Sequence, residues 1–211
     1  MAVICPTVTA FDPHEYRAQM ELLEPFAKRI HIDLMDGEFA PTVSPPLNTV
    51  WWPPKLVADV HIMYQRPTSC LEQLIKLKPH LVIFHYEAEV DHADFAAKLQ
   101  VAGIKAGLGI LQKTTVDDVR ALLPSFDHVM VFSGKLGHHG STADLSLLDK
   151  VHQIRQDYPS MEIAWNGGID DQNAGKLAEG GVDVLNTGGF IHKAANSQVA
   201  YNKLETLVGG L

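Results

Sequence analysis

Short apolar runs alternate with longer amphipathic segments along the whole chain. The runs are rich in valine and isoleucine, and several are apolar at consecutive positions rather than at alternate ones. Strands that are buried on both faces have this pattern, and such strands belong to parallel sheets. The runs that predict strands lie at residues 3–8, 30–34, 56–62, 80–84, 105–110, 127–132, 161–165 and 182–187.

The segments between these strands carry apolar residues at the three- and four-residue spacing of an amphipathic helix. Segment 42–54 differs because it is rich in proline, so we expect at most a short helix there. Helix starts are predicted at Thr115 and at Asp170–Asp171, where polar residues precede the apolar pattern. The predicted helical segments are 14–27, 67–77, 91–101, 115–123, 144–157, 170–179 and 197–208.

Eight strands that alternate with eight helical or partly helical segments are typical of a (β/α)8 barrel, the TIM barrel. No Ser/Gly/Pro-rich linker divides the chain, so we predict one α/β barrel domain over residues 1–211. An open, doubly wound sheet is the alternative fold. Such a sheet usually has about five or six strands, and no Gly-x-Gly-x-x-Gly motif follows the first strand here.

Composition and charge narrow the functional classes. Hydrophobic residues make up 46% of the chain and charged residues 20%, as in ordinary globular proteins. The net charge is −8 and no Lys/Arg cluster exceeds a pair, which argues against nucleic acid or an anionic membrane as the partner. Two cysteines are too few for a disulfide framework, and we expect Cys5 and Cys70 to be buried. Neither a signal peptide nor a transmembrane stretch is recognisable, so we expect a cytoplasmic protein.

Polar side chains on two neighbouring strands indicate a metal site. In this fold the active site lies at the carboxyl ends of the strands. His31, Asp33 and Met35 are two residues apart and share one face of their strand, and His61 and Met63 repeat this spacing on the next strand. Two imidazoles and a carboxylate suit a divalent transition metal. The alternative is that each histidine is an ordinary polar residue of the barrel interior.

Glycines follow each of the last three predicted strands. Glycine lets the backbone approach a ligand closely, and the loops after strands 7 and 8 are the usual phosphate site of this fold. A tight turn explains any single pair of glycines, whereas three consecutive loops favour a phosphate. The glycines concerned are Gly137, Gly140, Gly167, Gly168, Gly188 and Gly189.

These motifs resemble those of the ribulose-phosphate 3-epimerase family over nearly the whole chain. The most specific matches are HIDLMDGEFAP at 31–41 and DVHIM at 59–63. Thr7 ends a Cys-Pro-Thr sequence in which the family has serine at the third position. Further matches are FHYEA at 84–88, KAGLGI at 105–110, GHHG at 137–140, NGGI at 166–169 and TGG at 187–189.

The resemblance implies an enzyme that epimerises a ketopentose 5-phosphate with one divalent metal ion, which is zinc, iron or manganese. In the family the metal polarises the substrate, and two aspartates exchange protons on opposite faces of an enediolate. Carried over to this sequence, His31, Asp33 and His61 would bind the metal, and Asp33 would also be one acid/base. Asn166 stands at the position of the fourth ligand and second acid/base.

The resemblance also implies the contacts of the substrate. Thr7, Met35 and Met63 would line its site, together with the glycines of the three loops. A small-molecule sugar phosphate is the expected partner, without nucleic acid or membrane, and we expect the chain to form a homo-oligomer.

Asn166 is the main departure from the family pattern. An amide has no titratable proton near neutral pH, so it cannot act as a general acid or base, although its oxygen can still bind a metal weakly. The loop after strand 6 departs as well, because residues 135–141 read KLGHHGS where the family has Asn-Pro-Gly-Phe-Gly-Gly-Gln. Phe132 stands where the family has a methionine.

Three functions therefore stay open. The first is an epimerase in which a water, Asp36 or a substrate group replaces the missing base. The second is a paralogue with a one-base isomerase or aldolase-type activity. A Schiff base on Lys135 belongs to this second possibility, and a phosphate or solvent contact is the other interpretation of that lysine. The third is a non-catalytic protein that binds a sugar phosphate.

Overall fold

Eight parallel strands form a closed barrel in the computed structural model of this protein, which describes residues 2–138 and 140–209. The strands follow one another around the barrel in chain order, and the eighth pairs with the first to close it. The predicted (β/α)8 fold is confirmed. The strands are β1 Val3–Thr9, β2 Arg29–Met35, β3 Val57–Met63, β4 Leu81–His85, β5 Lys105–Ile110, β6 His128–Phe132, β7 Glu162–Asn166 and β8 Val184–Thr187.

Helical segments connect the strands. The Pro-rich segment 42–54 contains only the short 3-10 helix Leu47–Thr49, as expected. No helix within the described ranges has the length and apolar character needed to cross a membrane. The α-helices are α1 Pro13–Leu23, α2 Leu71–Leu77, α3 His92–Val101, α4 Val116–Val119, α5 Leu148–Asp157, α6 Ala174–Glu179, α7 Gly189–His192 and α8 Ser197–Gly209.

One of the two predicted helix starts is confirmed and the other is wrong. Thr115 caps α4, and its side chain and that of Asp118 each bind the other's backbone N–H. The start predicted at Asp170 is wrong, because α6 begins at Ala174. The Asp170 carboxylate accepts hydrogen bonds from the backbone N–H groups two and three residues later, at 2.9 and 3.2 Å. Residues 170–173 therefore form a turn of their own before the helix.

The buried side chains form two layers because strand residues alternate between the two faces of the barrel wall. On β2, Ile30, Ile32 and Leu34 belong to the outer core between strands and helices. The residues between them, His31 and Asp33, therefore point into the barrel. Both cysteines are buried and free, as expected. The inner apolar layer consists of Cys5, Leu81, Ile83, Met130, Phe132, Ala164 and Val184.

An ion network ties strands together at their amino ends, opposite the predicted site. The Arg29 guanidinium donates to Asp59 at 2.7 Å and to both carboxylate oxygens of Glu162 at 2.8 and 2.9 Å. His128 also contacts Glu162, at 2.7 Å. Burial would raise the pKa of Glu162, but the hydrogen bonds from Arg29 and His128 outweigh it and hold the pKa well below its usual range. This network is structural, since it lies at the end of the barrel away from the cavity described below.

Candidate active site

Three neighbouring strands bring the predicted metal ligands together. In the register of the sheet, Asp33 on β2 lies beside Thr9 on β1 and beside His61 on β3. His31 precedes Asp33 by two residues and points the same way. Both histidine side chains are fully buried, and the Asp33 side chain is 10% exposed. A single carboxylate thus stands between two buried imidazoles at the carboxyl end of the barrel.

The Asp33 carboxylate is contacted on both oxygens. Its Oδ1 lies 2.8 Å from His61 Nδ1 and 3.2 Å from His31 Nε2. Its Oδ2 accepts a hydrogen bond from the Thr9 hydroxyl at 2.5 Å. The three prospective ligand atoms of His31, Asp33 and His61 all lie within 4.8 Å of one another. Ligand atoms that are each about 2.0–2.2 Å from a zinc ion lie roughly 3 Å apart, so this spacing fits a divalent cation.

The protonation states of the cluster also favour a cation. Burial alone would raise the pKa of Asp33, but the adjacent His31 and His61 rings outweigh it and hold this pKa well below its usual range. Burial lowers the pKa of His61 to about 3, against the opposing effect of Asp33. An ionised carboxylate and a neutral imidazole are the forms that bind metals.

Asn166, the last residue of β7, completes the cluster. Its Nδ2 lies 3.0 Å from His31 Nε2, and the side chain is buried. The oxygen and nitrogen of an amide are assigned from their hydrogen bonds, so rotation of the amide by half a turn places Oδ1 at the same point. Asn166 therefore lies beside the three prospective ligands, and its amide oxygen could coordinate a metal as an uncharged ligand atom.

A cavity of about 500 Å³ lies over the cluster, a size that suits a small ligand. Asp33 and Asn166 line it, whereas His31 and His61 are buried outside its lining. Met35 packs with Met63 and Ala40 at its wall. The structure also brings to this cavity the other predicted substrate contacts, Thr7, Met35, Met63, Gly137, Gly140, Gly167, Gly168, Gly188 and Gly189.

The glycines line the cavity for different reasons. Gly167 and Gly168 have positive φ angles of 112° and 74°, and a Cβ on them would collide with the backbone of residues 133–134 and 142–143, respectively. A Cβ on Gly188 would lie 2.5 Å from the Thr7 hydroxyl. Packing alone therefore explains these three. Gly189 has open space, since the nearest atom to its Cβ position is Gly140 Cα at 3.8 Å.

Three cationic or titratable side chains of the loops face the same cavity. Lys135 and His138 belong to the loop after β6, and Lys193 follows α7. The ammonium of Lys193 lies 2.9 Å from the Cβ position of Gly140. Within the described ranges, neither lysine forms an ion pair with a carboxylate. His139, between His138 and Gly140, lies outside the described residues.

Sequence reasoning did not single out Thr9, Lys193 or a role for His85. Thr9 lies two residues after Thr7 on β1, so the alternation that identified Asp33 could have identified it. Lys193 could not be found in this way, because it lies beyond the short helix α7 and reaches the cavity only through the fold. His85 ends β4, is fully buried and places its Nε2 2.8 Å from His61 Nε2.

Comparison with known proteins decides the family. A family model described as the ribulose-phosphate 3 epimerase family matches residues 3–192. The chain belongs to the ribulose-phosphate 3-epimerase family. The match covers all eight strands, and so it includes the strands that carry every residue of the cluster.

Relatives within the ribulose-phosphate 3-epimerase family come from distant organisms. The ribulose-phosphate 3-epimerase of Treponema pallidum is 30% identical over 170 residues, which cover 77% of this chain and 78% of that protein. The ribulose-phosphate 3-epimerase of Schizosaccharomyces pombe is 24% identical over 214 residues, covering 98% and 94%. That of Mycobacterium leprae is 27% identical over 189 residues, covering 86% and 84%.

Solved structures of other enzymes share the barrel. The 3-hexulose-6-phosphate synthase of Salmonella typhimurium superposes with a TM-score of 0.73 at 16% identity, covering 99% of both chains. The 3-keto-L-gulonate-6-phosphate decarboxylase of Vibrio cholerae has a TM-score of 0.72 at 10% identity, covering 99% of this chain and 98% of the other. At these identities the similarity shows the fold alone.

Proposed function

We propose that this protein is a metal-dependent epimerase or isomerase of a ketose phosphate, which removes the proton at C3 through an enediolate. The observation that carries the proposal is the Asp33 carboxylate. It is held between His31 and His61 by contacts of 3.2 and 2.8 Å, and it lines the cavity. Membership of the ribulose-phosphate 3-epimerase family supports the same chemistry.

The residues present fit a single divalent ion, with zinc, iron or manganese as the candidates. His31 Nε2, Asp33 Oδ1 and His61 Nδ1 would hold it, with the Asn166 amide oxygen as a weaker fourth ligand. When bound, such an ion acts as a Lewis acid that polarises the substrate carbonyl and stabilises negative charge on the enediolate.

Asp33 would take the C3 proton of the substrate. The carboxylate accepts that proton while the electron pair of the C–H bond enters the enediolate. The Thr9 hydroxyl, 2.5 Å from Asp33 Oδ2, fixes the orientation of the carboxylate. Return of the proton from the same carboxylate restores the original configuration at C3, whereas inversion requires a proton from the opposite face.

Asn166 favours one second candidate, a reaction that uses a single base. An amide cannot deliver the proton to the opposite face, so inversion at C3 would depend on another donor. A one-base isomerisation, or an aldolase-type cleavage, needs only Asp33. The epimerase and the one-base isomerase share the ketose phosphate, the metal and the removal of the C3 proton, and they differ in the fate of that proton. An aldolase-type cleavage would share the substrate and the metal, but in it Asp33 would take the proton of the C4 hydroxyl while the C3–C4 bond breaks and its electron pair enters the enediolate.

The phosphate would be bound at the glycine loops after β7 and β8. Backbone N–H groups near Gly168 and Gly189 would donate to its oxygens. The ammonium of Lys193 lies beside Gly140, whose Cα is 3.8 Å from the Cβ position of Gly189, and would add a positive charge there. This positive charge would offset part of the long-range repulsion between a protein of net charge −8 and a dianion.

The test is turnover of ribulose 5-phosphate by protein loaded with zinc, iron or manganese. We expect conversion that depends on the metal and is lost in Asp33→Asn, which keeps the shape of the side chain but removes the base. Asp170→Asn is the matched control, because Asp170 lines the same cavity without contacting the histidines. Equal activity of the parent and Asp33→Asn would contradict the proposal.

A further inference from the structure

A series of four side chains in contact, which we call the contact chain, leads from the metal cluster to Glu87 in the loop after β4, which in turn contacts the loop after β5. On its far side from Asp33, His61 Nε2 lies 2.8 Å from His85 Nε2. The other nitrogen of that ring, His85 Nδ1, lies 3.5 Å from Glu87 Oε2. Both rings are fully buried. The order of the contact chain is therefore Asp33, His61, His85 and Glu87.

The far end of the contact chain is anchored. Glu87 Oε1 accepts hydrogen bonds from the Leu111 N–H at 3.1 Å and from the Thr114 hydroxyl. Lys150 holds the same loop, since its ammonium donates to the carbonyls of Leu111 and Thr114 at 2.9 and 2.6 Å. Burial would raise the pKa of Glu87, but the nearby His85 ring and the hydrogen bonds from Thr114 and Leu111 outweigh it and lower the pKa. Glu87 is thus a fixed, ionised acceptor.

Two atoms of the contact chain face each other without forming a hydrogen bond. His85 Nδ1 and Glu87 Oε2 are both buried and have no hydrogen-bond partner among the described residues. Their separation of 3.5 Å is slightly longer than a hydrogen bond. Buried polar atoms normally find partners, so this pair calls for an explanation.

Counting donors and acceptors leaves two proton arrangements for neutral rings. In the first, His61 Nδ1–H donates to Asp33, His61 Nε2 accepts from His85 Nε2–H, and His85 Nδ1 presents a lone pair to the Glu87 carboxylate. Two acceptors then face each other at that end. In the second, His61 Nε2–H donates to His85, and His85 Nδ1–H donates to Glu87.

The second arrangement satisfies both unpartnered atoms and changes the other end of the contact chain. His61 Nδ1 now presents a lone pair to Asp33 Oδ1 at 2.8 Å, and a metal cation bound by both atoms would satisfy these two acceptors. His61 Nδ1 is also the nitrogen that faces the proposed ion. A carboxylate that accepts a hydrogen bond from a ligand histidine fixes the tautomer of the ring and raises its basicity.

We propose that His85 and Glu87 are positioning residues that hold His61 in the tautomer whose Nδ1 lone pair faces the metal. The proposal rests on the metal site of the proposed function and extends it to two residues that touch neither metal nor substrate. Outer partners of ligand histidines typically change metal affinity by about 10–100-fold.

Glu87→Gln tests the direction in which the hydrogen bonds of the contact chain run. The Leu111 N–H and the Thr114 hydroxyl require an acceptor, so the Gln oxygen would face them and its amide N–H would face His85 Nδ1. That donor favours the first arrangement, in which His61 Nδ1 carries a proton. We expect zinc affinity, measured by chelator competition on folded protein, to fall about 10–100-fold. Glu89→Gln is the matched control, because Glu89 is exposed, lies with Glu87 in the loop after β4 and contacts Gln65 and Arg66 instead of His85.

A second pair of variants separates hydrogen bonding from packing. His85→Leu removes both contacts of the ring and should weaken zinc binding by a similar factor. His85→Gln retains an acceptor for His61 and a donor for Glu87, so it should bind zinc within a few-fold of the parent. His128→Gln alters a buried histidine at the opposite end of the barrel and controls for lost stability, since it should leave zinc affinity unchanged.

The ring nitrogens provide a readout that does not depend on activity. In zinc-loaded protein with 15N-labelled histidine, we expect the proton of His61 on Nε2 and that of His85 on Nδ1. The opposite tautomer of His85, or parent-like zinc affinity in both Glu87→Gln and His85→Leu, overturns the proposal. Parent protein that binds no divalent ion overturns it together with the proposed metal site. Zinc binding with these tautomers but without turnover supports the inference and contradicts the proposed function alone.

Discussion

Replacing Asn166 by aspartate should restore the second carboxylate of the site. The amide nitrogen of Asn166 and Asp33 Oδ1 lie 3.0 and 3.2 Å from the same atom, His31 Nε2, so they are at most about 6 Å apart. The substitution changes little in shape, and it places a new carboxyl group in a buried position. Its effects should therefore be electrostatic.

The size of the effect follows from that distance. Two unit charges about 6 Å apart interact by roughly 3 kcal/mol at an effective dielectric constant of about 20. Without a cation, this repulsion from Asp33 should destabilise the Asn166→Asp variant or raise the pKa of the new carboxyl group. With a divalent ion between the two carboxylates the sign reverses, so we expect zinc to bind on the order of 100-fold more tightly than in the parent.

Catalysis should change in the same variant. A positioned acid/base typically contributes about 10²–10⁴ in rate, so turnover of ribulose 5-phosphate to the C3 epimer should rise within that range. The assay follows product formation with saturating metal, alongside thermal unfolding with and without zinc. Asn166 precedes Gly167, a sequence prone to deamidation, so mass spectrometry must show that the parent still carries the amide.

A control variant with a new carboxylate elsewhere in the cavity distinguishes an effect of position 166 from an effect of the added negative charge. Asn186 on β8 also lines the cavity, and its amide contacts Met130 rather than a histidine. Asn186→Asp should tighten zinc less than Asn166→Asp, because it contacts no ligand histidine, and it should not raise turnover. The reasoning is refuted if verified parent protein inverts C3 as fast as Asn166→Asp, or if that variant gains neither metal affinity nor rate.

Three further predictions follow from the surrounding contacts. Gly188→Ala should destabilise the protein by about 1–3 kcal/mol in denaturant unfolding, because the new Cβ would lie 2.5 Å from the Thr7 hydroxyl. Gly189→Ala has open space, so it should keep the stability and weaken sugar-phosphate binding. The reverse pattern would contradict these two roles. Lys193→Met should weaken binding of inorganic phosphate and reduce its dependence on salt, and a result equal to that of the distant Lys176→Met would exclude a direct contact. Arg29→Met should cost about 3 kcal/mol, since it removes the guanidinium partner of Asp59 and Glu162 at the amino end of the barrel. Because the folded pKa of Glu162 lies below its unfolded value of 4.5, the contribution of this carboxylate to the stability of the parent is fully present above about pH 4.5 and is lost as the pH falls toward the folded pKa. The variant should show less of this acid sensitivity, because His128 alone then lowers the pKa of Glu162, and an unchanged pH profile would contradict the role of the network.

The strands and the metal cluster could be predicted from the sequence because both depend on local alternation. All eight predicted runs overlap the observed strands, since a buried parallel strand is apolar at successive positions. His31 and Asp33 share a face by the two-residue repeat, and strand order then places His61 next to them. No knowledge of distant contacts was needed for these predictions.

The remaining features depend on contacts between distant segments, which a local pattern does not contain. Asp170 has the composition of a helix start, but its carboxylate binds the backbone of the next residues and forms a separate turn. The glycines of the loops all suggested a ligand, yet Gly168 and Gly188 are required by neighbours that only the fold brings close. The link from His61 to Glu87 likewise needs the order of β3 and β4 and the loop beyond β5.

Exchange of the C3 hydrogen is the measurement that tests the central claim most directly. Ribulose 5-phosphate is incubated in deuterium oxide with metal-loaded protein, and deuterium at C3 and the configuration of that carbon are followed by NMR. We predict metal-dependent incorporation that is abolished in Asp33→Asn, whether or not the configuration inverts. Inversion would identify an epimerase with another proton donor, and exchange with retention would identify the one-base reaction. Metal-loaded protein that binds the sugar phosphate but incorporates no deuterium would contradict the account and indicate a binding protein.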